Sequence, residues 1–355
     1  MKHNFFHYLL GLFAIALVIY ILKYTLLASI LSNFPKSFMK LKSEIDIKED
    51  NIYLVVDEEY NLNLNNVTYS FDNNIISINN GVIKALNIGN TILTVKNETS
   101  EDSVNIIVTD LITKPILNNK KSLLTCEKYN SEDASTLDKI LEYEINKVGY
   151  KTRAGVVEAA RFLTLRFKYR LAYFYENGRL KNYDRTYCDG EGRWYHKGLY
   201  LSSDKYSSLS ASVKGPAMWG CPLYSNVVKN DAINGLDCSG FVTWALLNGG
   251  YDVGDVGSGI YVDKTDDLDD LGDKIYINEE SVNNTFKVGD LIGFDGHIGI
   301  IIGYKDGYYY IAQAYEHDLN VQVMNNEDLL NSKWDYIIDM NNLYGEDGNL
   351  SSFWE

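Results

Sequence analysis

The sequence predicts an α+β domain of helices packed on an antiparallel sheet, preceded by a small all-β sandwich and an N-terminal transmembrane helix. Three patterns carry that expectation: an apolar run over residues 5–31, short β-rich runs over 43–111, and helical periods followed by hairpin-linked strands over 122–355.

The apolar run opens FFHYLLGLFAIALVIYIL from Phe5 to Leu22, broken only by His7, and resumes after Lys23 as far as Leu31. Crossing a bilayer takes roughly 20 apolar residues, and a signal-peptide core spans only about 7–15. An uncleaved single-pass anchor is therefore expected, with the membrane as a partner and the cell membrane as the location. Lys2 precedes the span while Lys23, Lys36, Lys40 and Lys42 follow it, the reverse of the positive-inside pattern. The nature of the later domains, not the charge, puts the bulk of the chain outside.

From residue 43 to 111 the runs NIYLVVD, VTYSFD, IISIN, GVIKAL, NTILTV and SVNIIV are separated by Asn, Asp and Gly. Regular short strands with turn signals point to an antiparallel sandwich. Asn80-Gly81 is a favoured hairpin turn because both residues tolerate positive φ. The stretch YSFDNNIISINNGVIKALNIGNTILTV resembles the group 2 bacterial immunoglobulin-like domains. It holds no His, Cys or carboxylate cluster, so a spacer is expected, and nothing in it names a partner.

Composition narrows the function. The chain has 46% hydrophobic and 23% charged residues, as globular proteins do. With 48 acidic against 33 basic residues and a formal charge of −15, a nucleic-acid partner is excluded, because such binding draws on Lys and Arg neutralising phosphates. Cys126, Cys188, Cys221 and Cys238 form no C-x-x-C pair and the histidines are scattered, so neither a metal nor another cofactor is expected. Cys188 and Cys221 are readable either as a disulfide or as separate buried thiols.

In the C-terminal region, Leu137, Ile140, Leu141, Ile145 and Val148 recur at helical spacing, as do Val156, Val157, Ala160 and Leu163. Caps are expected around Ser135 and Thr136 for the first helix and at Thr152 for the second. An irregular, Tyr- and Gly-rich insertion follows at about 175–228. Its aromatics Trp194, Tyr195 and Trp219 suit a surface that contacts saccharide or peptide. His196 reads as a surface or substrate-contacting residue.

The most specific stretch is GLDCSGFVTWALLNGG, Gly235 to Gly250. It reads as a helix capped by Asp237 and closed by Gly249-Gly250, with Cys238 in the first turn. There the helix dipole is expected to lower the thiol pKa. Downstream, three antiparallel strands are expected at 290–294, 297–304 and 308–314, the last two joined by Asp306-Gly307. Alternation puts Ile298, Ile300 and Ile302 on one face and His297, Gly299 and Ile301 on the other. A nucleophilic Cys needs a base, and the base needs an orienting group.

Asp237-Cys238-Ser239-Gly240-Phe241, with Val288-Gly289-Asp290-Leu291 leading to Gly296-His297-Ile298-Gly299-Ile300, resembles the NlpC-type cell-wall cysteine peptidases, a permuted papain-like family. The likeness spans roughly residues 152–323. It implies Cys238 as nucleophile, His297 as general base and Gln313 as the third polar residue, with His317 as the rival. It also aligns Leu171-Ala172-Tyr173-Phe174 with a segment that sets Tyr173 beside the nucleophile. Asp237 and Ser239 are implied as substrate contacts. The implied substrate is a peptidoglycan stem peptide, cut between γ-D-glutamate and the diamino acid. Two other classes stay open: an amidase or acyltransferase of the same fold acting on another amide, and a non-enzymatic adhesion or scaffold protein.

Overall fold

The computed structural model describes residues 45–117, 121–122, 130–173, 197–199, 235–253, 268–284 and 286–354. The expected membrane span at 5–31, residues Trp194, Tyr195, His196 and Trp219, and the Cys188–Cys221 question lie outside the described residues, as does the insertion at 175–228 apart from 197–199.

The first unit is a two-sheet sandwich. Its strands are β1 (Asn51–Leu54), β2 (Glu59–Asn61), β3 (Thr68–Ser70), β4 (Ile76–Asn79), β5 (Val82–Ala85), β6 (Gly89–Lys96) and β7 (Glu101–Val108). One sheet runs β1-β7-β6-β3 and the other β2-β5-β4. Alternation along β6 and β7 sends Leu93, Val95, Val104 and Ile106 inward to meet Ile52, Leu54, Ile76 and Ile83. Asn80 (φ 49°) and Gly81 (φ 78°) make the expected β4–β5 turn. The β1–β7 pair is parallel, so the sandwich is mixed and not wholly antiparallel.

The sandwich is packed onto the rest of the chain. Tyr53 and Val55 share a core with Ile140 and Leu141, and Tyr53 meets Tyr143 edge-on at 5.4 Å between ring centroids. Arg166 ties the two units, with its Nη1 3.2 Å from Glu58 and 3.2 Å from Glu144.

The second unit opens with α1 (Ser131–Val148) and α2 (Arg153–Arg161), the latter running on through a π turn at Phe162–Arg166. The α1 cap is Asn130, whose side chain accepts the Asp133 N–H, not the Ser135 and Thr136 region. Glu132 and Asp133 sit favourably in the first turn, so the helix starts more than a turn before its apolar stripe. Thr152 caps α2 as expected. Helix α3 (Cys238–Gly249) begins at the Asp237 cap and ends at Gly250 in the left-handed conformation.

The remaining strands form one sheet ordered β10-β15-β11-β12-β13-β14-β8-β9. They are β8 (Ala172–Tyr173), β9 (Gly235–Leu236), β10 (Asp273–Tyr276), β11 (Leu291–Phe294), β12 (His297–Lys305), β13 (Tyr308–Tyr315), β14 (Asp318–Met324) and β15 (Tyr336–Asp339). Short helices α4 (Ser281–Asn284), α5 (Asn326–Leu330) and α6 (Asn341–Tyr344) punctuate it.

The predicted fold class is corrected in its C-terminal part. In place of a papain-like set of helices over a three-stranded antiparallel sheet, the C-terminal region is mostly β-sheet, with eight strands among the described residues and a parallel β8–β9 pair. The additional strands were hidden because β8 and β9 have two residues each and β10 and β14 are rich in polar side chains. Among the described residues, which do not include the expected span at 5–31, no helix is long and apolar enough to cross a membrane.

The sheet separates two cores. On one face Ile298, Ile300, Ile302 and Ala312 meet Phe241, Trp244 and Ala245 of α3. On the other, Ile301 and Ile311 meet Val157, Ile292, Leu329 and Trp334. Arg153, fully buried, pins α2 to the sheet through Asp290 at 2.7 Å and lies over the Tyr344 ring.

Candidate active site

Cys238 occupies the first position of α3 because Asp237 ends the extended chain there. The Asp237 carboxylate accepts the Gly240 N–H at 2.7 Å, satisfying a donor that the helix start leaves unpaired. The parallel pairing of β8 with β9 aligns Tyr173 with Leu236, two residues ahead of the thiol. Ser239 is buried, its hydroxyl 3.4 Å from Asp237 Oδ1.

The register between β12 and β13 runs from Ile300↔Ala312 to Lys305↔Tyr308. Ile298, the residue after His297, packs on the face of the sheet that α3 covers, and the backbone N–H groups of Ile298, Ser239 and Cys238 itself act to lower the thiol pKa. Burial nevertheless pushes the thiol up to about 12, and the Asp237 carboxylate adds to the rise against the pull of the three N–H groups. The expected lowering by the helix dipole is therefore corrected: desolvation and a negative cap outweigh a partial positive charge.

His297 is buried and lies on the face opposite Ile298, as the alternation requires. Aromatic rings of Phe294, Tyr315 and Trp334 surround it at centroid distances of 4.9, 4.6 and 5.4 Å. Its Nε2 is 2.7 Å from Gln313 Oε1. Burial lowers the imidazole pKa below its ordinary value, and the Gln313 bond opposes that shift. Among the described residues, imidazole and thiol do not hydrogen-bond each other; such bonds often tighten only when substrate is bound.

Gly299 lets the β12 backbone lie close to β13 beside Gln313. A Cβ there would lie 2.8 Å from the Ala312 carbonyl oxygen and 3.4 Å from the Gln313 Cβ. Of the two candidates for the third residue, Gln313 meets the histidine. His317 is exposed, with its backbone N–H donating to Tyr315 and its carbonyl accepting the Tyr173 N–H.

An open cleft of about 620 Å³ adjoins the site, lined by Phe294, Gln313, Tyr315, Gln322, Lys333 and Trp334 among others. The sequence matches no protein-family model and no curated protein. What the site can do is thus argued from its own chemistry. Among the described residues no group of three His, Cys, Asp or Glu side chains is placed to hold a metal ion.

Sequence reading missed the surroundings of His297: Phe294, Tyr315, Asn320, Gln322 and Trp334. The one available signal was the alternation in DLNVQVM, which sends Asn320 and Gln322 to the same face of a strand. That signal has meaning only once β14 is known to pair with β13, Gln313 opposite Asn320.

Proposed function

We propose that the protein is a cysteine peptidase that hydrolyses amide bonds in peptidoglycan stem peptides, acting through Cys238, His297 and Gln313 like the NlpC-type enzymes it resembles. The observation that carries this reading is the way the imidazole is used. Gln313 engages the Nε2 of His297, as an orienting third residue would, and leaves Nδ1 without that contact; the resemblance pairs this imidazole with Cys238, at the start of the helix that packs on Ile298, the next residue of the strand.

At neutral pH the thiol is protonated and the imidazole neutral, so the chemistry begins with general-base catalysis. His297 Nδ1 takes the thiol proton as sulfur bonds to the amide carbonyl carbon. The Cys238 N–H at the helix start, with Tyr173 nearby, suits stabilisation of the resulting oxyanion. The imidazolium then protonates the departing amine as the C–N bond breaks, leaving a thioester. Water, deprotonated by His297, hydrolyses the thioester and restores the thiol. The cleaved bond, γ-D-glutamyl to diamino acid, and a location outside the cell follow from the resemblance.

The test is mass spectrometry of products from defined stem peptides. Wild-type protein should release fragments cut at that one bond, and Cys238→Ala should release none while keeping its far-UV and near-UV circular dichroism. Equal release by the variant would overturn the reading.

A further inference from the structure

Accepting that His297 is the base, its protonation site matters: a proton on Nδ1 would leave no lone pair there to receive the thiol proton. Oxygen and nitrogen of a side-chain amide are interchangeable in shape, so Gln313 alone does not decide which imidazole nitrogen carries the proton. Something beyond it must.

Two arms lead outward from Gln313 along β14. Its Nε2 lies 3.4 Å from Gln322 Oε1 and 3.3 Å from Asn320 Oδ1. Each of these amides ends on a group of single polarity. The same Gln322 oxygen is 3.0 Å from Trp334 Nε1, and an indole N–H can only donate. Asn320 Nδ2 donates to the backbone carbonyl of Asp318 at 3.2 Å and to its carboxylate at 3.3 Å, and both of these can only accept.

From these contacts we infer that Gln322 and Asn320 are positioning residues that set the tautomer of His297. The indole N–H requires an oxygen from Gln322, and the Asp318 oxygens require a nitrogen from Asn320, which turns its oxygen inward. Two oxygens therefore converge on one atom of Gln313, which must be the NH₂ group. The other atom, 2.7 Å from His297 Nε2, is then the oxygen. Nε2 must carry the proton and Nδ1 the lone pair. Either arm alone gives the same answer, so the orientation is fixed twice. The ring contact between Trp334 and His297 lets one side chain both pack the base and set its polarity.

This inference rests on the proposed chemistry for its purpose but not for its test. In full-length protein labelled with ¹⁵N-histidine, and with His297 assigned by comparison with His297→Gln, wild type above pH 7.5 should show a protonated Nε2 and an unprotonated Nδ1. Asn320→Leu with Gln322→Leu should give a mixture of tautomers and lower kcat by at least ~10-fold at little change in KM; in a serine protease the wrong tautomer costs about 10⁴. Asn320→Leu with Gln322→Glu, which restores an obligate acceptor opposite Trp334, should recover the wild-type tautomer and most of kcat. Should the double leucine variant fail to fold, Asn320→Leu with Trp334→Phe removes both anchors while keeping the ring. An unchanged tautomer in either of these variants, or an Nδ1-protonated wild type, overturns the inference even if no hydrolysis is found. A wild-type tautomer as stated, in a protein that cleaves no stem peptide, overturns the proposed function alone.

Discussion

A thiol with its pKa pushed up to about 12 should react slowly, and pH is the perturbation that reveals it. An unperturbed thiol, near 9.0, is roughly 3% thiolate at pH 7.5, while one near 12 is roughly 0.003%, about a thousandfold less. Alkylation by iodoacetamide follows the thiolate fraction. The rate at Cys238, read by mass spectrometry of its peptide in full-length protein, should therefore climb about tenfold per pH unit from 6 to 10 without levelling off. Asp237→Asn removes the one carboxylate that raises the pKa, so it should speed alkylation at every pH in that range. A wild-type rate that levels off below pH 7 would mean a pre-formed thiolate–imidazolium pair and would refute the general-base route.

The buried, lowered pKa of His297 makes neutral imidazole the resting form. The acid limb of kcat/KM should accordingly fall at a pKa below 6.5, and its stability contribution, present above 6.5, should be lost as pH drops through that same region; a limb above 7 would contradict this. Gly299→Ala puts a methyl 2.8 Å from the Ala312 carbonyl oxygen, and the overpacking should cost ~1–3 kcal/mol in a urea melt and lower kcat by moving Gln313. Arg166→Met removes the bridge to Glu58 and Glu144 and leaves Glu144 to protonate, so unfolding free energy at pH 7 should drop by ~1–3 kcal/mol; a change under about 0.5 kcal/mol would mean that Arg166 is not a tie. Burial raises the Glu144 carboxyl to about 7 from 4.5. Its contribution is full below pH 4.5 and fades as pH rises through about 7, so Glu144→Gln should flatten that part of the Tm-against-pH curve.

Much of the site was readable along the chain because it is local. The Asp237 cap, the Cys238–Gly249 helix with its Gly250 stop, and the alternation that divides Ile298 from His297 depend on neighbours within a turn or a hairpin. Gln313 was readable because it sits on the next strand of the same hairpin. The rest depends on pairings between distant segments. β8 and β9 exist as strands only beside each other and β14, and β10 is a mostly exposed edge strand. Trp334 reaches Gln322 and His297 only after β15 has paired with β11. The sign of the Cys238 shift escaped for a different reason: helix position is written in the sequence, but desolvation belongs to the folded core.

The most direct test of the central claim is to catch the acyl-enzyme. Acid quenching during turnover of a stem peptide, followed by peptide mass spectrometry, should find the acyl portion of the substrate attached to Cys238, with no adduct in Cys238→Ala and a build-up of adduct in a His297 variant slow to deacylate. Fragment release that proceeds with Cys238 unmodified, or equally well in its absence, would contradict the account.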